Sequence, residues 1–365
     1  MIRCSRPWFC LLAFVIAAPL QAAGPDDNEI RASLDKAIAF LKTRQNDDGS
    51  FAPKLAGPGL TALVASGLIR NGVSPDEPMV AKALAYLEKQ VEANGSVKSR
   101  GLANYTTCVA LVTFKEANKN GRYDTIIANA AKFLKSLQSN PGDESDTKFG
   151  GVGYDGAKRP DLSNTQFFVE ALLTAGVSKD DPAVRNALKF ISRCQNLPGE
   201  TNDRPFAKLT TDDDKGGLTY NPGDVDNVNS PNRTPAGGLR SAGTMTYSGL
   251  KSFLYAGLSR DDPRVKAALD WISRHYTLDE NPGEGQGGLY YYYHLFAKAM
   301  DALGEPTFTA KDGKHDWRRD LFEALKKRQG ADGGWINSNQ RFMENTPELC
   351  TAYAILALSY CKPSK

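Results

Sequence analysis

Three stretches of this chain repeat one another: Asp76-Glu77-Pro78-Met79-Val80-Ala81-Lys82-Ala83-Leu84, Asp180-Asp181-Pro182-Ala183-Val184-Arg185-Asn186-Ala187-Leu188 and Asp261-Asp262-Pro263-Arg264-Val265-Lys266-Ala267-Ala268-Leu269. An acid before Pro is a helix start, because the carboxylate caps free N–H groups and Pro suits the first turn. Val184, Leu188 and Ile191 then share one face, so each stretch reads as an amphipathic helix. A unit that recurs along the chain confines it to a repeat architecture.

The ends of these helices repeat as well. Gln45-Asn46-Asp47-Asp48-Gly49-Ser50-Phe51 matches Gln329-Gly330-Ala331-Asp332-Gly333-Gly334-Trp335 in spacing, with looser copies from Gln90, Gln138 and Gln195. His275-Tyr276 stands where the fifth copy needs its Gln. The Gly breaks the helix, the aromatic packs back on the turn, and the Gln amide reads as a structural bridge to neighbouring carbonyls. After each turn comes a helix rich in small and apolar residues, starting near Leu60, Tyr105, Thr165, Thr246, Tyr293 and Leu349. Helices apolar nearly all round are buried. Each unit therefore pairs an outer amphipathic helix with an inner buried one. Outer helices starting near residues 29, 78, 124, 182, 263 and 316 make six units, an all-α (α/α)6 toroid of helix hairpins. An open solenoid needs a polar terminal cap. The last inner helix is as apolar as the rest, which favours closure of unit six on unit one.

Arg3 and Arg6, the apolar run Trp8 to Leu20 and then Ala22-Ala23 read as a cleaved signal peptide over residues 1–23. The apolar run is too short to favour a spanning helix. The expected product is a single domain, residues 24–365, secreted or periplasmic. The formal charge is +3 and falls to about +1 without those two arginines, which gives no electrostatic case for nucleic acid. Cys108, Cys194, Cys350 and Cys361 lack the spacing of a disulfide framework or a zinc site and read as buried thiols.

The Gln-x-x-x-Gly-x-aromatic turns, the twelve helices and the inner/outer alternation resemble the prenyltransferase and squalene-cyclase repeat family over about residues 29 to 360. The resemblance implies a cavity for an apolar or isoprenoid-like ligand at the inner-helix starts. Triterpene cyclases of that family carry Asp-x-Asp-Asp there. The matching stretch is Asp161-Leu162-Ser163-Asn164, which keeps the first acid and replaces the two others. A hydroxyl or amide cannot protonate an alkene, so protonation-started cyclisation is not expected. Protein prenyltransferases hold zinc with Asp, Cys and His. The matching stretches offer His294 after Tyr292-Tyr293 but Thr244 and Thr246 in place of acid and thiolate. Zinc needs three protein ligands even in an open site, so neither metal nor cofactor is expected.

The outer-to-inner connections are long, above all Asn196 to Gly243, and they gather at the N-termini of the inner helices. Loops of that length are usually functional or disordered. Unpaired N–H groups and helix dipoles at that end would favour an anion, with Arg159, Arg233 and Arg240 nearby. His294 is the best general acid/base candidate by residue type, with Asp161 beside it. Ser163, Asn164, Gln166, Thr244, Thr246 and Glu348 are polar groups near inner-helix starts. Tyr247 and Tyr293 either line an apolar cavity or pack within the core. Two classes of function follow: an enzyme on an apolar or isoprenoid-like substrate, or a non-catalytic module that binds a ligand or protein in the toroid mouth.

Overall fold

The Asp-Pro starts open helices as expected. The computed structural model describes residues 24–156 and 158–362; the expected signal peptide lies outside the described residues. Six outer helices are α1 (Asp27–Arg44), α3 (Pro78–Glu88), α5 (Asp124–Ser136), α7 (Pro182–Arg193), α9 (Pro263–Arg274) and α11 (Trp317–Arg328). They alternate with six inner helices, α2 (Pro53–Arg70), α4 (Ala103–Glu116), α6 (Leu162–Thr174), α8 (Gly243–Tyr255), α10 (Leu289–Leu303) and α12 (Pro347–Cys361). The carboxylates of Asp181 and Asp262 accept the N–H of Ala183 and Arg264, so the repeated acid is a cap. Helix α2 bends at Gly57 (φ 61°), and Pro58 starts its straight part.

The inner helices touch in the cyclic order α2, α4, α6, α8, α10, α12 and back to α2, so the ring is closed. One repeated seam builds it. Gln45 Nε2 donates to Gly49 O (3.1 Å) and to Met79 O of the next outer helix (2.8 Å). Gln138 does the same with Gly150 and Ala183, and Gln195 with Gly216 and Arg264. Gln329 closes the circle on Gly333 O and Ser33 O, 2.8 and 2.9 Å away. The Gly of each seam has positive φ and lies against the same helix three residues on: a Cβ would fall 2.2 Å from Lys82 O at Gly49 and 2.4 Å from Lys36 O at Gly333. A threonine one turn into the inner helix completes the seam. Thr61, Thr107, Thr165, Thr246 and Thr351 each accept the N–H of a residue in the preceding turn at 3.0 Å.

Unit five departs from the pattern, and with it from a purely helical chain. Tyr276 replaces the Gln and donates to Asp320 of α11 (3.0 Å). Its ring stacks on Phe308 in a small antiparallel hairpin, β1 (Phe308–Ala310) and β2 (Gly313–His315), paired Phe308 with His315. This inner-to-outer connection, 304–316, is longer than the link from α6 to α7, 175–181. The apolar side chains between the two rings of helices form one continuous core.

Candidate functional site

A cavity of about 720 Å³ opens where the inner helices begin. All six outer-to-inner connections lie at that end, because every inner helix runs in the same direction. Phe167, Tyr105, Tyr291 and Tyr353 form the floor, one or two turns into α6, α4, α10 and α12. Phe167 stacks on Tyr291 (centroids 5.9 Å, 13° between planes) and meets Tyr105 edge-on at 5.0 Å. Tyr105 and Tyr353 share a hydroxyl contact of 3.1 Å. Leu60, Leu102 and Leu349 extend this apolar surface up one wall. The opposite wall is mixed: Ser163, Asn164 and Thr244 at helix starts and Asn227, Asn232 and Arg240 from the longest loop bring polar groups to it, beside Ala242 and Met245.

Of the residues singled out from sequence, Ser163, Asn164 and Thr244 reach this cavity, as do Arg159 and Arg240. Ser163 Oγ lies 2.9 Å from Tyr291 Oη. Asp161 sits behind Asn164 as the N-cap of α6. Its oxygens accept Asn164 Nδ2 at 3.1 and 2.9 Å and Asn164 N at 2.8 Å. Burial pushes its carboxyl up to about 6, against the hydrogen bonds from Asn164, which lower it. Gln166 lies under the floor, donating to Tyr291 Oη at 3.1 Å.

Thr246, Tyr247, Tyr293 and Glu348 are not among the residues that line the cavity. Thr246 is a seam threonine, accepting Leu218 N and donating to Ala242 O. Tyr293 holds the matching position in unit five and donates to Leu278 O at 2.6 Å. Tyr247 packs on Tyr292 and Phe296 between neighbouring inner helices. Glu348 approaches Arg44 of α1 at 3.9 Å.

The inner-helix N-termini, read from sequence as open to an anion, are occupied by the chain itself. Asp161 caps α6, and Asp155 accepts Ala103 N of α4 at 3.0 Å. Asn281 accepts Thr244 N of α8 at 3.1 Å. Glu344, fully buried, accepts Tyr290 N and Tyr291 N of α10, both at 2.9 Å. Arg159 and Arg240 do line the mouth, while Arg233 does not; Arg341 joins them from the last loop.

His294 lies below the floor, its ring 5.7 Å from that of Tyr353. It faces a second, water-sized cavity of about 20 Å³ with Ser66, Arg70, Glu116, Glu170 and Lys298. Phe167 lines both cavities and separates them. Burial, reinforced by Lys298, holds the His294 imidazole well below its ordinary pKa and therefore neutral. Lys251 and Lys298 both contact the Glu170 carboxylate, Lys251 at 2.6 Å. Burial opposes ionisation of Glu170, but the two ammonium groups outweigh it and keep the carboxyl well below its usual range. Burial pushes Lys251 down to about 8 despite Glu170. Sequence reading passed over Lys251 and Lys298, although a lysine inside an otherwise small and apolar inner helix is a legible signal. It also passed over Arg341, Phe342 and Met343, whose loop carries no motif.

Among the described residues no three His, Cys, Asp or Glu side chains converge as a metal site would require, and no helix is long and apolar enough to cross a membrane.

Residues 55–211 match the family model of the squalene-hopene cyclase C-terminal domain. No curated protein matches the chain in sequence. Among solved structures, the chain resembles a point variant of the type II terpene cyclase MstE from Scytonema without ligand, at 13% identity over 91% of this chain and 97% of that one (TM-score 0.52). It resembles a D-mannose isomerase at 12% identity over 92% and 97% (TM-score 0.56). It also resembles a polysaccharide lyase at 10% identity over 91% and 96% (TM-score 0.53). Likeness at such identities is likeness of fold, and one fold serves many chemistries. In its matched stretch and its closed ring of helix pairs, the chain is similar to the terpenoid cyclase and prenyltransferase-like α/α toroids.

Proposed function

We propose that this chain is an exported, squalene-cyclase-like toroid that binds an apolar or isoprenoid-like ligand in its mouth cavity and does not start cyclisation by protonating an alkene. The observation that carries the reading is the floor of Phe167, Tyr105, Tyr291 and Tyr353 beneath a cavity of about 720 Å³. Aromatic faces in a concave apolar site suit hydrocarbon chains and fused rings. Ser163 and Asn164 stand at two of the three acid positions of the cyclase motif. Asp161 at the first position is turned onto α6 and is not among the lining residues.

A second reading is a module that seats a protein partner on the mouth. The exposed Leu55, Val228, Ile336 and Phe342, all in or beside the mouth loops, favour it. Mass spectrometry of the exported protein, intact and after organic extraction, separates the two. The expected result is an N-terminus near residues 23 to 25 and an apolar small molecule released on denaturation. A retained Met1 sinks export. An empty cavity in protein that co-purifies with a polypeptide favours the module.

A further inference from the structure

We infer that the ligand of the mouth cavity is an amphiphile, with an apolar body and one singly charged oxyanion, and that Arg240 receives the oxyanion. This rests on the reading above and adds the head group to it.

The first observation is that the cavity has two unlike walls. Leu60, Tyr105, Phe167, Leu349 and Tyr353 form a continuous apolar surface, and Ser163, Asn164, Asn232, Arg240 and Thr244 face it. A pure hydrocarbon would suit Ala242 and Met245 on that side but leave these polar groups without partners, which costs free energy at each desolvated group.

The second is the charge of the lining. Five ionisable side chains of opposite sign line the cavity: Arg159, Arg240 and Arg341 against Asp224 and Glu284. Arg159 pairs with Asp224 at 3.4 Å, and Arg341 contacts Glu284. Asp224 also accepts Asn232 Nδ2 at 2.6 Å. Among the described residues no acid or carbonyl is within reach of the Arg240 guanidinium, which stands exposed at the rim. The lining thus carries one uncompensated positive charge. Asp161 and Glu344 accept N–H groups of α6 and α10 and are not among the lining residues. One guanidinium fork matches one carboxylate or phosphodiester bidentately. A diphosphate would bring more negative charge than the lining can balance. It would also find four of the inner-helix N-termini already capped.

The third is Thr244. Its hydroxyl is buried in the cavity wall with no hydrogen-bond partner, while its own N–H is held by Asn281. A buried hydroxyl without a partner calls for an explanation. A ligand oxygen packed against this wall would supply that partner.

The test uses cis-parinaric acid, its alcohol cis-parinarol, a single-chain lysophosphatidylglycerol and farnesyl diphosphate on the mature protein, read by polyene fluorescence and its displacement. The acid should bind at least tenfold tighter than the alcohol. Lysophosphatidylglycerol should displace the acid, and farnesyl diphosphate should displace it no better than the alcohol does. Arg240→Gln should weaken the acid about tenfold and the alcohol less than twofold, with an unchanged melting midpoint. Thr244→Val should weaken the acid and raise the midpoint of the ligand-free protein. Equal affinity for acid and alcohol, equal loss of both on Arg240→Gln, or tightest binding of the diphosphate overturns the head-group inference and leaves the apolar-ligand reading standing. Failure of both parinaric probes to bind overturns the apolar-ligand reading itself.

Discussion

Asp161 works on the helix that it starts. Its two oxygens are used on Asn164 and the first turn of α6, in a site almost closed to water. Its folded pKa, about 6, lies above the 3.8 of a free carboxyl. The native state therefore holds this proton more firmly than the unfolded chain does. The stability that Asp161 contributes is present below about pH 4 and is lost as pH rises through 6. A shift of this size corresponds to at most about 3 kcal/mol. Asp161→Asn keeps a capping oxygen and removes the titration. Its stability relative to wild type should thus be greater at pH 7 than at pH 4, by roughly 2 kcal/mol. Urea unfolding at the two pH values measures this, and an equal difference at both refutes the buried, ionising cap. His294 illustrates the opposite limit. Its residue type marks it as an acid/base group, yet burial keeps it neutral and Phe167 stands between its cavity and the mouth.

At the scale of the element, the Gln-Gly-aromatic turn determines how one hairpin meets the next. Gly150 (φ 81°) sits in a seam, where a Cβ would fall 1.9 Å from Asn186 O. Gly176 (φ 86°) has the same backbone conformation at the end of α6 but open space around it. Gly176→Ala should cost only the left-handed strain, about 1 kcal/mol. Gly150→Ala adds a backbone collision that separates two outer helices, and should cost on the order of 3 kcal/mol or more. Denaturant midpoints of the two variants compare them, and similar losses would show that the seam yields easily. Sequence shows this element well because Gln, Gly and the aromatic act within a few residues of one another. The unit-five hairpin was not legible in that way. Its strands are three residues long and rest on Tyr276, which lies on the other side of α10 in the chain.

At the scale of the molecule, closure makes every unit depend on the last. Helix α12 packs on α1, α2, α10 and α11, and Gln329 and Gly333 join unit six to α1 through the seam used elsewhere. Removing residues 346 to 365 exposes both faces of that junction. Each buried Leu or Ile contributes about 1.5–3 kcal/mol, against about 5–15 kcal/mol for a whole domain. The truncated chain should lose cooperative unfolding altogether rather than shorten by one unit. Calorimetry that finds a cooperative transition near the full-length midpoint would show that the ring does not depend on its closure.

Residues near in sequence carried what the chain states by itself: helix starts at Asp181-Pro182 and Asp262-Pro263, inner and outer faces, six units, and an apolar last helix that needs a partner. These depend on capping, periodicity and burial, which act within a turn or two. Tertiary structure decided which helix starts remain open to a ligand. Glu344 reaches α10 from a loop 54 residues away, and Asn281 reaches α8 across 37. It also decided that Thr244 belongs to the cavity wall while Thr246, two residues on, holds a turn, and that His294 lies beneath Phe167. Arg240 stands alone because Asp224 and Glu284 bind Arg159 and Arg341 instead. Charge balance inside a ring is set by side chains brought together from different units, and no local pattern in the chain encodes that sum.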